Sequence, residues 1–253
     1  MDRALTPGAL AWVAVLSATL PFCARAETPP PLGGKVTASL PSAPHSLDPL
    51  VASSYAEITL SSLVFDTLYR RGPDGRIVPH LAESAELAKN GRTLRITLRA
   101  GVRFHDGQLL AAKDVVASLR RAQRQPMTRW ALAAVKDITQ AGSSVVFAYQ
   151  RKGSDPLTPL AAPQLAITPG GRKPNPHNIV GSGPFAVRRV AMAERVIELH
   201  SFADHFAGRP YLDEVRLSWF LRPGDEARAY EAGKADVSLR GAVAFAGHAP
   251  KHP

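Results

Sequence analysis

The stretch Leu94-Arg95-Ile96-Thr97-Leu98-Arg99-Ala100-Gly101-Val102-Arg103-Phe104-His105-Asp106-Gly107, followed closely by Ala111 to Arg124, decides the fold class. Leu94, Ile96 and Leu98 alternate with polar partners, which sets one face of a strand on a core and the other in water. Asn90-Gly91 just before it is a strong hairpin signal, and Asp106-Gly107 suits a turn just after it. Ala111 to Arg124 then changes the period to that of a helix, with Val115, Val116 and Leu119 facing inward and Arg120, Arg121 and Arg124 near the C-terminal end, where cations suit the helix dipole. A hairpin followed at once by a helix indicates an α/β chain with a mixed sheet.

The same alternation of signals extends outward. Lys35 to Leu40 reads as a strand, and Tyr55 to Leu68 as a helix with Ile58, Val64, Phe65 and Leu68 along one stripe and Ser53 or Ser54 as its cap. Pro73-Asp74-Gly75 marks a turn between strand-like runs, and Val145, Phe147 and Tyr149 alternate as a strand after Gly142. Beyond a loop rich in Pro, Gly and Asn from Pro169 to Asn178, Phe185 to Val190 and Arg195 to His200 predict a hairpin. Val215 to Phe220 predicts a strand and Gly224 to Glu231 a helix.

The chain has 253 residues, a formal charge of +10 and 45% hydrophobic residues, a composition that excludes disordered and fibrous classes. Its longest apolar run, Ala9 to Leu20, follows Arg3 and precedes Ala24-Arg25-Ala26, the pattern of a secretory signal peptide. The run is too short to span a bilayer, which takes about 20 apolar residues. Phe22 before Cys23 argues against lipidation, and cleavage after Ala26 removes the only cysteine, so thiol catalysis and cysteine-bound metals are not expected. The expected organisation is a signal peptide over 1–26, a folded unit over 27–240 and a low-information tail over 241–253, with export to the periplasm.

Most of the basic excess lies between Glu86 and Lys152. Arg92, Arg95, Arg99, Arg103, Arg120, Arg121 and Arg124 would attract polyanions, but no aromatic residues are interleaved with the first three to stack on bases, so a solvated face is expected and a specific nucleic-acid site is not. Signatures of enzymes are missing from the sequence: there is no G-x-S-x-G elbow, no phosphate loop and no H-E-x-x-H pair. His105-Asp106 reads as part of a turn, and His200 with His205 lacks the further ligands of a metal site.

Several separated stretches together resemble the family 5 extracellular solute-binding proteins of ABC importers, which include dipeptide, oligopeptide and nickel binders. They are Ser46-Leu47-Asp48-Pro49, Leu63 to Leu68, Pro79 to Ser84, Leu98 to Gly107, Ala112 to Val116, Val180 to Phe185, Phe206 to Val215 and Ala232 to Val237. The resemblance runs from about Lys35 to Val237 and implies the first lobe of a two-lobed binder that closes on a solute and presents it to a membrane permease. It places Pro253 ahead of the second lobe, so the implied protein is truncated, or a lobe paired with a separately encoded partner. No cofactor is implied.

The resemblance also implies ligand contacts in the loop Ala52-Ser53-Ser54-Tyr55, where hydroxyls and free N–H groups at a helix start can meet a peptide backbone or carboxylate. The competing reading has Ser54 only capping the helix and Tyr55 packed on the core. Trp130 matches an aromatic cleft residue of nickel-binding relatives, with burial in the core as its first reading and a cleft wall as its second. Gln164 falls where some relatives carry an Arg, and its neutral amide weakens a metal-chelate reading. Gly181 to Phe185 is expected to serve a chain crossing. Ala111 stands where the family commonly has a Thr cap, so that cap is expected to be absent. Three functions stay open: a binder of a peptide-like solute, a lobe without independent binding, and a secreted cationic protein for anionic polymers.

Overall fold

A computed structural model describes residues 31–152 and 155–239. The expected signal peptide and tail lie outside these residues. Two sheets form the frame. The first is mixed and five-stranded, in the order β11(Val237–Ser238), β1(Lys35–Leu40), β10(Glu214–Trp219), β9(Val196–Ser201), β8(Phe185–Ala191), with β1 parallel to both neighbours and the β10–β9–β8 side antiparallel. The second is four-stranded and antiparallel, in the order β4(Ala82–Leu87), β5(Thr93–Leu98), β7(Ser144–Tyr149), β6(Val135–Ala141). A short hairpin pairs β2(Tyr69–Arg71) with β3(Ile77–Pro79).

Each sheet has its own helix and its own core. α1(Tyr55–Val64) buries Ala56, Leu60 and Val64 in a cluster with Leu40, Ile197, Leu217 and Trp219 of the five-stranded sheet. α2(Ala112–Arg124) buries Val115, Leu119 and Ala122 against Leu94, Ile96, Ile138 and Phe147 of the four-stranded sheet. Burial of Leu94, Ile96 and Leu98, with Arg95 exposed, follows the alternation of the deciding stretch. α3(Pro223–Glu231) matches its sequence signal.

Two expectations need correction, and one strand was not foreseen. α1 ends at Val64, not Leu68, because Phe65 turns extended (φ −128°, ψ 153°) and Gly183 N–H donates to the Val64 carbonyl at 2.9 Å. Phe65 and Leu68 are buried all the same, so the apolar stripe outlives the helix. The Asn90-Gly91 hairpin exists, but its connection is Ala88 to Arg92 rather than two residues; Gly91 takes φ +64° and donates to the Ala88 carbonyl. β6 was not legible, since a register shift between Val135 and Asp137 breaks its alternation.

Ala111 is the N-cap of α2, in extended geometry and without a side-chain cap. Only the reciprocal half of a capping box is present, in which Ala111 N–H donates to Asp114 Oδ2 at 2.9 Å. Ala111→Ser is therefore expected to stabilise the fold by roughly 1 kcal/mol, read as a higher denaturation midpoint with an unchanged urea m-value.

Candidate functional site

The loop expected to meet solute is built by charges beneath it. Asp48 starts a 3-10 turn, Pro49–Val51, by accepting from Leu50 N–H at 3.2 Å. Ser54 then caps α1, its Oγ accepting from Glu57 N–H at 3.2 Å. The Glu57 carboxylate answers with one oxygen on His45 N–H (2.9 Å) and Ser46 N–H (3.1 Å), and the other on Ser53 N–H (2.9 Å) and Ser54 N–H (3.1 Å). One buried side chain thus ties two separate parts of the loop to the first turn of α1.

Burial pushes the Glu57 carboxyl up, but the N–H donors of Ser53, Ser54 and His45 outweigh it and hold its pKa at about 2. A folded-state pKa below the unfolded value of about 4.5 contributes stability that is present above pH 4.5 and is lost as pH falls toward 2. That shift corresponds to at most about 3 kcal/mol, discounted to about 1–2 because the loop is partly solvated. Glu57→Gln should lower stability at pH 7 by that amount and flatten the acid limb of the stability curve, measured by urea melts from pH 7 to pH 2.5.

Two longer connections fix the loop to the rest of the chain. The Arg121 guanidinium clamps Asp48 with both terminal nitrogens, one of them 3.2 Å from Oδ1, and the carboxylate is almost wholly buried. Gln164 Nε2 donates to the Ala52 carbonyl at 3.2 Å. Gln164 therefore lies beside the Ser53, Ser54 and Tyr55 loop and holds its backbone. Glu57 and Arg121 were missed by sequence reasoning. Glu57 had a signal in Ser54-Tyr55-Ala56-Glu57, a capping-box spacing. Arg121 had none, because its partner is 73 residues away and its neighbours suggested a helix-end cation on a solvated face.

Tyr55 and Trp130 overturn the core readings. Tyr55 is 58% exposed at the first position of α1, and Trp130 is 66% exposed in the 3-10 turn Arg129–Leu132. The Trp130 indole N–H is already given to the Met127 carbonyl at 2.8 Å, which leaves its ring face, not its polar edge, for contact. Trp130 borders a depression with Gln123, Pro126 and Leu132, which the Tyr55 loop does not share. The structure brings Ser53, Ser54, Tyr55 and Gln164 together and leaves Trp130 on a separate element.

The remaining polar centres are two buried networks, around His105 and around Asp66. His105 Nδ1 accepts from Gly181 N–H at 3.2 Å and its Nε2 donates to the Gly183 carbonyl at 2.9 Å, so the ring splints the Gly181-Ser182-Gly183 crossing. Burial lowers its pKa and favours the neutral ring that this pattern requires. Asp66 accepts from His80 Nε2 at 2.8 Å and from the Ser182 hydroxyl at 2.9 Å. Burial pushes that carboxyl up, but His205 and His80 outweigh it and hold it well below the usual carboxylate range. His205 is buried near Asp66, whereas His200 is exposed on β9. Among the described residues no cluster of His, Cys, Asp and Glu is arranged to hold a metal ion.

Residues 76–247 match the family model of bacterial extracellular solute-binding proteins, family 5 Middle. The chain belongs to this family. It is 26% identical over 174 residues to the nickel-binding protein NikA of Staphylococcus aureus, a match covering 68% of this chain and 35% of that one. It is also 26% identical to the oligopeptide-binding protein AppA of Bacillus subtilis, over 83% of this chain and 41% of the relative. The structure of that AppA in complex with a nonapeptide superposes with a TM-score of 0.74 at 24% identity, over 81% of this chain and 44% of AppA. A nickel ABC transporter structure from Bacillus halodurans gives a TM-score of 0.72 at 26% identity, over 83% of this chain and 43% of that one. The mixed α/β architecture is thus that of family members, and the chain spans about two fifths of their length.

Proposed function

We propose that the chain is the solute-facing first lobe of the substrate-binding component of an ABC importer, and that it presents a peptide or peptide-like solute to an inner-membrane permease. Export to the periplasm after cleavage at Ala26 and a lobe over 27–240 belong to this reading. The observation that carries it is Tyr55: a large aromatic side chain exposed to water at the start of α1, where it follows a loop that Glu57, Asp48, Arg121 and Gln164 hold from below. Preorganised aromatic surface of this kind suits a ligand with an extended backbone, because little ordering remains to be done on binding. The Ser53 hydroxyl and the Trp130 ring face are the further contacts assigned; Ser54 and Gln164 act by positioning.

A cleft binder encloses its solute from two sides. With one wall, half of a micromolar binding free energy of about −8 kcal/mol remains, about −4, which is millimolar. Calorimetry of the chain against di-, tri- and pentapeptides is expected to give a Kd of about 1 mM, weakened several-fold by Tyr55→Ala. A Tyr55→Ala variant with unchanged affinity would remove the loop from the site.

The anionic-polymer alternative is less well supported. Arg121 is committed to Asp48, Arg120 to Asp137 at 3.1 Å, and Arg99 lies over the Phe206 ring at 5.5 Å while donating to the His80 carbonyl. Part of the basic segment is thus engaged inside the chain, which supports weak and nonspecific polyanion binding.

A further inference from the structure

One residue joins the turn after β5 to the Gly181-Ser182-Gly183 crossing. His105 N–H donates to the Gly181 carbonyl at 2.8 Å, Gly181 N–H donates to His105 Nδ1 at 3.2 Å, and His105 Nε2 meets the Gly183 carbonyl at 2.9 Å. On its other side the crossing is tied to the end of α1. Gly183 N–H bonds the Val64 carbonyl, and the wholly buried Ser182 gives its hydroxyl to Asp66.

These partners assign both ring nitrogens. A carbonyl oxygen only accepts, so Nε2 carries a proton; a backbone N–H only donates, so Nδ1 carries none. An imidazolium donates from both nitrogens, and its Nδ1–H would face Gly181 N–H, donor against donor. The surroundings do not welcome that second proton. Asp66, whose charge reaches the ring, already takes His80 Nε2 and the Ser182 hydroxyl, and Asp106 on the same turn takes the N–H and side-chain amide of Gln108. The Phe202 ring packs edge-on to His105 with centroids 5.0 Å apart, and His200 and His205 oppose a positive charge there.

We propose that His105 is a proton-operated latch on this crossing: one proton taken up at Nδ1 expels the Gly181 N–H, breaks both ring bonds and frees residues 181–183 from the turn. Linkage fixes the sign. Burial, aided by His200 and His205, outweighs the Gly183 bond and Asp66 and holds the folded ring below its ordinary value of 6.5, so the tie is fully present above pH 6.5 and is lost as pH falls through the folded value. The neighbouring network responds the other way, since a proton on His80 or His205 strengthens its attraction to Asp66, and the Glu57 tie weakens only below pH 4.5. The latch is independent of the peptide-binding reading, so Tyr55→Ala leaves it unchanged.

The test is hydrogen exchange at the Gly181 amide of the full chain from pH 7.5 to pH 5, corrected for the intrinsic pH dependence of exchange. Protection is expected to be level above pH 7 and to fall at least threefold by pH 5, as linkage requires when the pKa is lower in the closed state than in the open one by about half a unit. His105→Asn sets an amide oxygen near the place of Nδ1 and carries no titrating proton, so its profile is expected to be flat. Nitrogen-15 shifts of the His105 ring in the unaltered chain should show the Nε2–H tautomer at pH 7 and a titration midpoint below 6.5. A smaller fall in protection, the same acid loss in His105→Asn, an Nδ1–H tautomer, or a midpoint at or above 6.5 would each overturn the proposal.

Discussion

Gly181→Ala is expected to destabilise the chain by about 3 kcal/mol or more, at the upper end of the cost of overpacking a core. A Cβ at position 181 would stand 1.9 Å from the Val64 carbonyl oxygen and 2.8 Å from a Phe65 ring carbon. The obstacle is backbone, and it is held in place: Gly183 N–H bonds to that same carbonyl, while His105 grips Gly181 and Gly183 from the other side. Neither strand of the crossing can retreat without breaking the end of α1. A variant melting within 2 °C of the parent would show that the crossing is loose. Gly107→Ala is the useful comparison, since nothing lies within 4 Å of its added Cβ and its effect should come only from backbone strain at φ +82°.

Arg121→Ala has the second large expected effect, about 3–5 kcal/mol, because it leaves Asp48 buried without a counter-charge. Asp48 is 4% exposed and would retain only the Leu50 N–H, through Oδ1. The loss should extend to solute binding, since the 3-10 turn that Asp48 starts leads directly into the loop carrying Tyr55. Pairing the change with Asp48→Asn should recover much of the stability, as removing both charges abolishes the buried one. A double-mutant cycle in urea measures this; additive losses would contradict a direct Asp48–Arg121 coupling.

The frame was largely legible in the sequence because burial there follows simple periods. Leu94, Ile96 and Leu98 alternate into one core, and Val115 and Leu119 face the same core from α2. Expectations failed where a distant group took over the backbone. α1 stops at Val64 because Gly183, well over 100 residues later, takes its last carbonyl. The neighbourhood of the candidate residues was partly legible, and the way the fold holds them was not. Ser53, Ser54, Tyr55 and Gln164 do gather in one place, yet Ser54 and Gln164 turn their polar atoms to the backbone, and Tyr55 faces water. Asp48 and Arg121 are brought together only by the fold, so neither carried a local signal of their pairing.

The central claim is that a loop held rigid from beneath offers Tyr55 to a peptide-like solute. An NMR titration of the full chain with dialanine and trialanine, followed at the Ser53, Tyr55 and Trp130 backbone and ring resonances, tests it most directly. The account predicts saturable shifts centred on Ser53 and Tyr55 with a Kd of about 1 mM, raised several-fold in Tyr55→Ala. Saturation elsewhere on the surface with Ser53 and Tyr55 unmoved would contradict it.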